Sequence, residues 1–257
     1  MVGSEIQGVL LDLSGTLYSG EDRIEGTRRC LSILDERQIP YRFLTNTTTK
    51  SRSRIAVKLT ELQIQFKEEW ILTPLAAARE RLKKDGFKTA ALLMDDAVKG
   101  DLGGIAETQV DPDVVVIGDL GEGFTYSVLN QAFQLLAGGA AFYALARNRC
   151  FESGGELFLD MGPFVEALAY ASRKEPLCLG KPSEAFFASA VAELGVSSES
   201  VVVVGDDLES DVLGAMDQGL KGVLVRTGKF SQCLLNESDR KPDAVIDSIA
   251  DLSDLLN

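Results

Sequence analysis

The sequence predicts an α/β protein: a doubly wound, Rossmann-like parallel-sheet core into which a second α/β unit is inserted. Short, continuously apolar runs such as GVLLDL and VVVVGDD alternate with stretches of helix-forming composition. Such runs belong to strands buried on both faces, which is the environment of a parallel sheet. The middle third, about residues 74–174, repeats the same alternation on its own and is long enough for a domain. Residues 1–73 and 175–257 are therefore expected to form the core, and 74–174 an inserted cap.

The elements follow in chain order. GVLLDL is read as the first strand, residues 25–38 (EGTRRCLSILDERQ) as a helix ending before Pro40, and YRFLT as the next strand, which completes one βαβ unit. In the middle third, AALLM, DVVVIG and AAFYALA read as strands, with LAAARERLKKDG and TYSVLNQAFQLLAGG as helices. PLCLGKP is read as a strand and loop returning to the core. The helix SEAFFASAVAELG follows, with Ser183 as N-cap and Gly195 as terminator. VVVVGDD and KGVLVRT are β-branched strands separated by a short helix, DVLGAMDQG, and DAVIDSIADLSDLL supplies a last strand and helix.

Composition removes several chemistries. Of 257 residues 45% are hydrophobic and 25% charged, the balance of a soluble globular protein. The formal charge of −13 argues against nucleic acid and anionic membrane surfaces, and obliges any anionic substrate to meet a locally positive site. Histidine is absent, which excludes Ser-His-Asp and Cys-His catalysis and histidine-ligated zinc on this chain. Cys30, Cys150, Cys178 and Cys233 show no C-x-x-C pairing, and no basic region precedes the first apolar run. A reducing, cytoplasmic location is the expectation. Gly118 to Gly123 does not have G-x-G-x-x-G spacing, and no P-loop pattern occurs, so dinucleotide and P-loop readings fail.

Ligands of an open parallel sheet bind where the strands end. One strand here ends Asp12-Leu13-Ser14-Gly15-Thr16, another Thr45-Asn46; a third runs into Lys181-Pro182, and a fourth ends Gly205-Asp206-Asp207 with Asp211 beyond it. Asp12 and Asp206 on adjacent strand ends would repel unless a hard cation lay between them, and Mg2+ takes such oxygen ligands. A carboxylate oxygen of Asp12 could then attack phosphorus, giving an aspartyl-phosphate that water hydrolyses. Thr45, Asn46 and backbone N–H groups would hold the phosphoryl oxygens, and Lys181 would balance charge. The expected substrate is a small phosphorylated molecule. Asp211 admits a second role, favouring a helix N-terminus.

In this order and on strand ends, Asp12-Leu13-Ser14-Gly15-Thr16-Leu17, Thr45-Asn46, Gly180-Lys181-Pro182 and Gly205-Asp206-Asp207-x-x-x-Asp211 resemble the four motifs of haloacid dehalogenase-like hydrolases. The insertion after the second motif is similar to the C2-type cap of the NagD-like branch. Phe43-Leu44-Thr45-Asn46, Gly162-Pro163-Phe164 and Arg226-Thr227-Gly228-Lys229 further resemble a subgroup of phosphatases acting on phospholysine, phosphohistidine and inorganic pyrophosphate. The resemblance implies Mg2+ dependence, with Asp12, the Ser14 carbonyl and Asp206 as metal ligands. It also implies Thr45, Asn46 and Lys181 at the phosphate, and Asp207 and Asp211 as supporting residues orienting metal-bound water.

Ser14 departs from the wider family, most of whose phosphatases place a general acid and base, an aspartate, two residues after the nucleophile. A serine hydroxyl replaces it poorly, and positioned acid–base catalysis is worth roughly 100- to 10,000-fold. The expectation is a preference for good leaving groups: phosphoramidates, acyl or aryl phosphates, or pyrophosphate. The alternative is a catalytically weakened phosphate- or phosphoprotein-binding module. Oligomeric state is left open, a homodimer included.

Overall fold

The computed structural model describes residues 6–153 and 156–256. The chain divides into two compact units. One comprises Met1–Thr45, Ser53–Leu72 and Lys181–Asn257, and the other Asn46–Arg52 and Thr73–Gly180.

The first unit is built on a six-stranded, wholly parallel sheet. Its order is Ala244–Ile246, Lys221–Val225, Val201–Gly205, Gly8–Asp12, Tyr41–Leu44 and Ile71–Leu72. From Gly8–Asp12 the chain first adds strands on one side, through Tyr41–Leu44 to Ile71–Leu72, and later returns to add Val201–Gly205 on the other. The strand order thus reverses between Gly8–Asp12 and Val201–Gly205, which is where open α/β sheets form their ligand crevice.

Both strands flanking that switch point are buried along their whole length, as their unbroken apolar runs predict. Val9, Leu11, Phe43, Val202, Val204, Val223 and Val225 form one core with Cys30, Leu31 and Leu34 of the helix Thr27–Glu36. The helix Glu184–Leu194 starts and stops on the expected residues: the Ser183 side chain accepts from the Phe186 N–H, and Gly195 ends it in the left-handed region.

The second unit carries a five-stranded parallel sheet ordered Leu177–Cys178, Ala141–Ala144, Val114–Ile117, Thr89–Leu93 and Ala106–Glu107. Its helix Pro74–Asp85 is capped by Thr73, whose hydroxyl accepts from the Ala76 N–H, and closes on Gly86. A core of its own gathers Leu75, Leu82, Leu92, Val115, Ile117, Phe142 and Leu168.

Three local expectations are corrected. The strand read in PLCLGKP does not join the first unit's sheet, because Leu177 and Cys178 pair with Tyr143 and Ala144 at the edge of the second. The helix expected after Asp211 begins earlier, as a π-helical turn over Leu208–Leu213 that passes into a short α-helix, Gly214–Asp217. The final helix is a 3-10 helix over Ile249–Leu255, which buries Ile249 and Leu252 at the three-residue spacing that 3-10 geometry aligns. Among the described residues no helix is long and apolar enough to cross a membrane.

Candidate active site

Asp12 is the last residue of the central strand, opposite Leu44 on one side, while Leu11 lies opposite Val204 on the other. This register sets Asp206, two residues past Val204, near Asp12 at the same sheet edge. The π-helical turn that follows then carries Asp211 back to them. Carboxylate oxygens of Asp12, Asp206 and Asp211 lie within 4.8 Å of one another.

All three are buried, at 7%, 3% and 1% exposure, and Lys181 beside them is 3% exposed. Charged side chains are almost never buried to this degree unless paired. The Lys181 ammonium donates to Asp12 Oδ1 at 2.5 Å and pairs with Asp211 Oδ1 at 2.6 Å. With three carboxylates against one ammonium, the fully ionised cluster keeps two uncompensated negative charges.

Titration reflects that imbalance. Burial, then the charges of Asp12 and Asp211, push the Asp206 carboxyl up to about 8. Burial also lifts Asp211, to about 7; Lys181 pulls it down, and Asp12 and Asp207 raise it. Burial by itself would lower the Lys181 ammonium, but Asp12 and Asp211 more than reverse this and raise it. A site that must hold protons near neutrality to tolerate its own carboxylates suits a hard divalent cation, and its oxygen-only donors match one.

The geometry distinguishes among the residues expected here. Lys181, Asp12, Asp206 and Asp211 meet in one cluster. Thr45 is buried in the same unit, one residue beyond Leu44, and its N–H donates to Leu72 O. Ser14 is exposed. Asp207 Oδ1 accepts from the N–H groups of Glu209 and Ser210, so this oxygen caps the following turn, while the Asp207 N–H donates to Asp211 Oδ2 at 3.2 Å. Asn46 belongs to the second unit, where its amide donates to Asn148 Oδ1 at 2.9 Å.

Gly205 is what lets Asp211 approach: a Cβ there would lie 2.2 Å from Asp211 Oδ2. Sequence reasoning assigns no role to the loop after Lys221–Val225, yet the Lys229 N–H donates to Asp206 Oδ2 at 2.7 Å. The available signal is the Arg226-Thr227-Gly228-Lys229 resemblance, which carries no role by itself.

A family model described as haloacid dehalogenase-like hydrolase matches residues 9–103, and a HAD-hydrolase-like model matches 178–252. Haloacid dehalogenase-like hydrolase domain-containing protein 2 of Pongo abelii is 40% identical over 225 residues, covering 88% of this chain and 86% of that protein. The phospholysine phosphohistidine inorganic pyrophosphate phosphatase of Bos taurus is 36% identical over 257 residues, covering 98% and 94%. Among solved structures, a 4-nitrophenylphosphatase of Thermotoga maritima superposes with a TM-score of 0.90 at 25% identity, covering 98% of each chain. The chain belongs to the haloacid dehalogenase-like hydrolases.

Proposed function

We propose that the chain is a Mg2+-dependent phosphatase that transfers a phosphoryl group to Asp12 and favours substrates with good leaving groups. The observation that carries this reading is the buried cluster itself, with Asp12 at its open strand end and Lys181 bonded to it. Pure phosphate binding has no need of a carboxylate there, because an anion is repelled by one.

One Asp12 oxygen attacks phosphorus, and the bond from phosphorus to the leaving group breaks on the opposite side. Lys181, holding Oδ1 at 2.5 Å, keeps the carboxylate aimed. Water then attacks the aspartyl-phosphate, releasing inorganic phosphate and restoring the Asp12 carboxylate. Asp12, Asp206 and the Ser14 carbonyl would hold Mg2+, which would offset the charge of the phosphoryl oxygens. Thr45, next after the strand beside Asp12, and Asn46, next in sequence, are the side chains assigned to those oxygens.

Ser14 supports the substrate preference, since no carboxyl group follows Asp12 at the position that would protonate a departing alkoxide. Phosphoramidates, aryl phosphates and pyrophosphate do not need that proton as strongly. The names of the similar proteins include just such substrates: phospholysine, phosphohistidine and pyrophosphate in one, 4-nitrophenyl phosphate in another.

The test is phosphate release from imidodiphosphate, 4-nitrophenyl phosphate and a sugar phosphate, with and without Mg2+. The expected kcat/KM is at least tenfold higher for the first two, and equal values would overturn the preference. Ser14→Asp is expected to raise alkyl-ester hydrolysis selectively, by roughly 10- to 100-fold.

A further inference from the structure

We propose that the turn Thr227-Gly228-Lys229 is a clamp that positions the divalent-ion site, with Thr227 as its positioning residue. The inference rests on the Mg2+ reading above and assigns work to residues outside the acidic cluster.

The turn follows the strand Lys221–Val225, and Arg226 just before it is tied back to the sheet, its N–H donating to Ile246 O at 3.0 Å. From that anchored end it makes two bonds to two different pieces of the site. The Thr227 hydroxyl donates to the carbonyl of Gly15 at 2.5 Å, and the Lys229 N–H donates to Asp206 Oδ2 at 2.7 Å. The loop after the nucleophile and the carboxylate of the neighbouring strand end are thereby held by one short segment.

Contact is as close as backbone allows. Gly15 and Gly228 both have positive φ, +88° and +60°, and a Cβ on either would fall within 2.0 Å of Asp206 Oδ2. A Cβ on Gly228 would also meet the Gly15 Cα at 2.5 Å. Only glycine can stand at either place, and Oδ2 is packed between them. With Oδ2 so held, the Asp206 carboxylate keeps one orientation, and the Thr227 bond fixes the Gly15-Thr16 peptide, which adjoins the Ser14-Gly15 peptide.

That peptide matters because the Ser14 carbonyl is the one proposed ligand supplied by backbone. A side-chain ligand can re-aim by changing rotamer; a backbone ligand is aimed only by the loop that carries it. Thr227 supplies the bond that pins this loop from outside. Gly15 adds one from within, its N–H donating to Tyr18 O at 2.7 Å.

The experiment titrates Mn2+ into the whole, substrate-free protein by calorimetry. Thr227→Val removes the hydroxyl at nearly constant volume, and Thr227→Ser keeps it. Loss of one hydrogen bond predicts a dissociation constant for Mn2+ raised roughly fivefold to tenfold in Thr227→Val, with Thr227→Ser near the parent value. Thr227→Ala serves if the valine variant does not fold, with the same direction expected. Asp206→Asn is the control for the ion site. If it abolishes Mn2+ binding while the Thr227 variants bind as the parent does, the clamp is refuted and the metal reading stands. If Asp206→Asn binds Mn2+ unchanged, the ion site is elsewhere and the clamp falls with it.

Discussion

In the second unit the carboxylates that follow strand ends, Asp95 after Thr89–Leu93 and Asp119 after Val114–Ile117, lie exposed or half-buried. Each accepts a local backbone N–H, from Ala97 and from Gly121. In the first unit the corresponding places hold Asp12 and Asp206, buried, with Asp211 within 4.8 Å. The sheets are alike, parallel and apolar, so the difference does not come from the fold. A capping aspartate lowers the energy of the chain it sits on; a buried cluster of like charges raises it and persists only with compensation. The strand ends that cost stability are the ones that can do chemistry.

The comparison breaks first at the nucleophile. Asp12→Asn is expected to lower kcat by more than roughly a thousandfold with the fold retained, measured as phosphate release beside a thermal melt. A variant that keeps a tenth of the parent activity would remove Asp12 from the mechanism. Next in size is Lys181→Met, which leaves Asp12 and Asp211 buried without their ammonium. The expected loss is about 3–5 kcal/mol in urea unfolding in EDTA, the cost of stripping one partner from a buried ion cluster. A loss under about 1 kcal/mol would mean the cluster behaves as a solvated surface pair.

Another test sharpens the same contrast through pH. Without a divalent ion the folded protein holds protons on Asp206 and Asp211 up to about 8 and about 7, above the ordinary carboxylate value of 3.8. The unfolded chain releases them at that lower value, so folding binds protons and stability falls as pH rises from about 4 to about 8. The melting temperature in EDTA should decline across that window, and excess Mg2+ should flatten the decline. A melting temperature that rises instead would contradict the raised titration of both groups. The smallest effect belongs to the second unit: Asp95→Ala should cost about 1 kcal/mol, the loss of an N-cap, and leave Mn2+ affinity unchanged.

Much of the site was legible because its motifs fall on strand ends. Asp12 and Asp206 could be set side by side from two apolar runs and the rule that ligands gather at a sheet's switch point. Asp207 shows where that reasoning thins, since adjacent carboxylates look equivalent in sequence. Only backbone geometry separates the one that reaches the cluster from the one whose Oδ1 accepts from Glu209 and Ser210. Asp211 was readable as a helix-end residue or a site residue, and only the π-helical turn shows that its carboxylate comes back onto Lys181.

By itself the sequence determined the α/β class, the alternation of elements, the helix caps at Ser183 and Gly195, and the residue types available for chemistry. Each of these depends on local pattern: apolar periodicity, a capping side chain, the presence of carboxylates and the absence of imidazole. Tertiary structure alone decided that the Leu177–Cys178 strand joins the second sheet, that Asp206 is gripped by a turn from residues 227–229, and that Asp211 is a partner of Lys181. Those outcomes depend on contacts between residues far apart in the chain. A two-residue strand has too little pattern to name its neighbour, and a backbone N–H has no side chain by which its partner could be foretold.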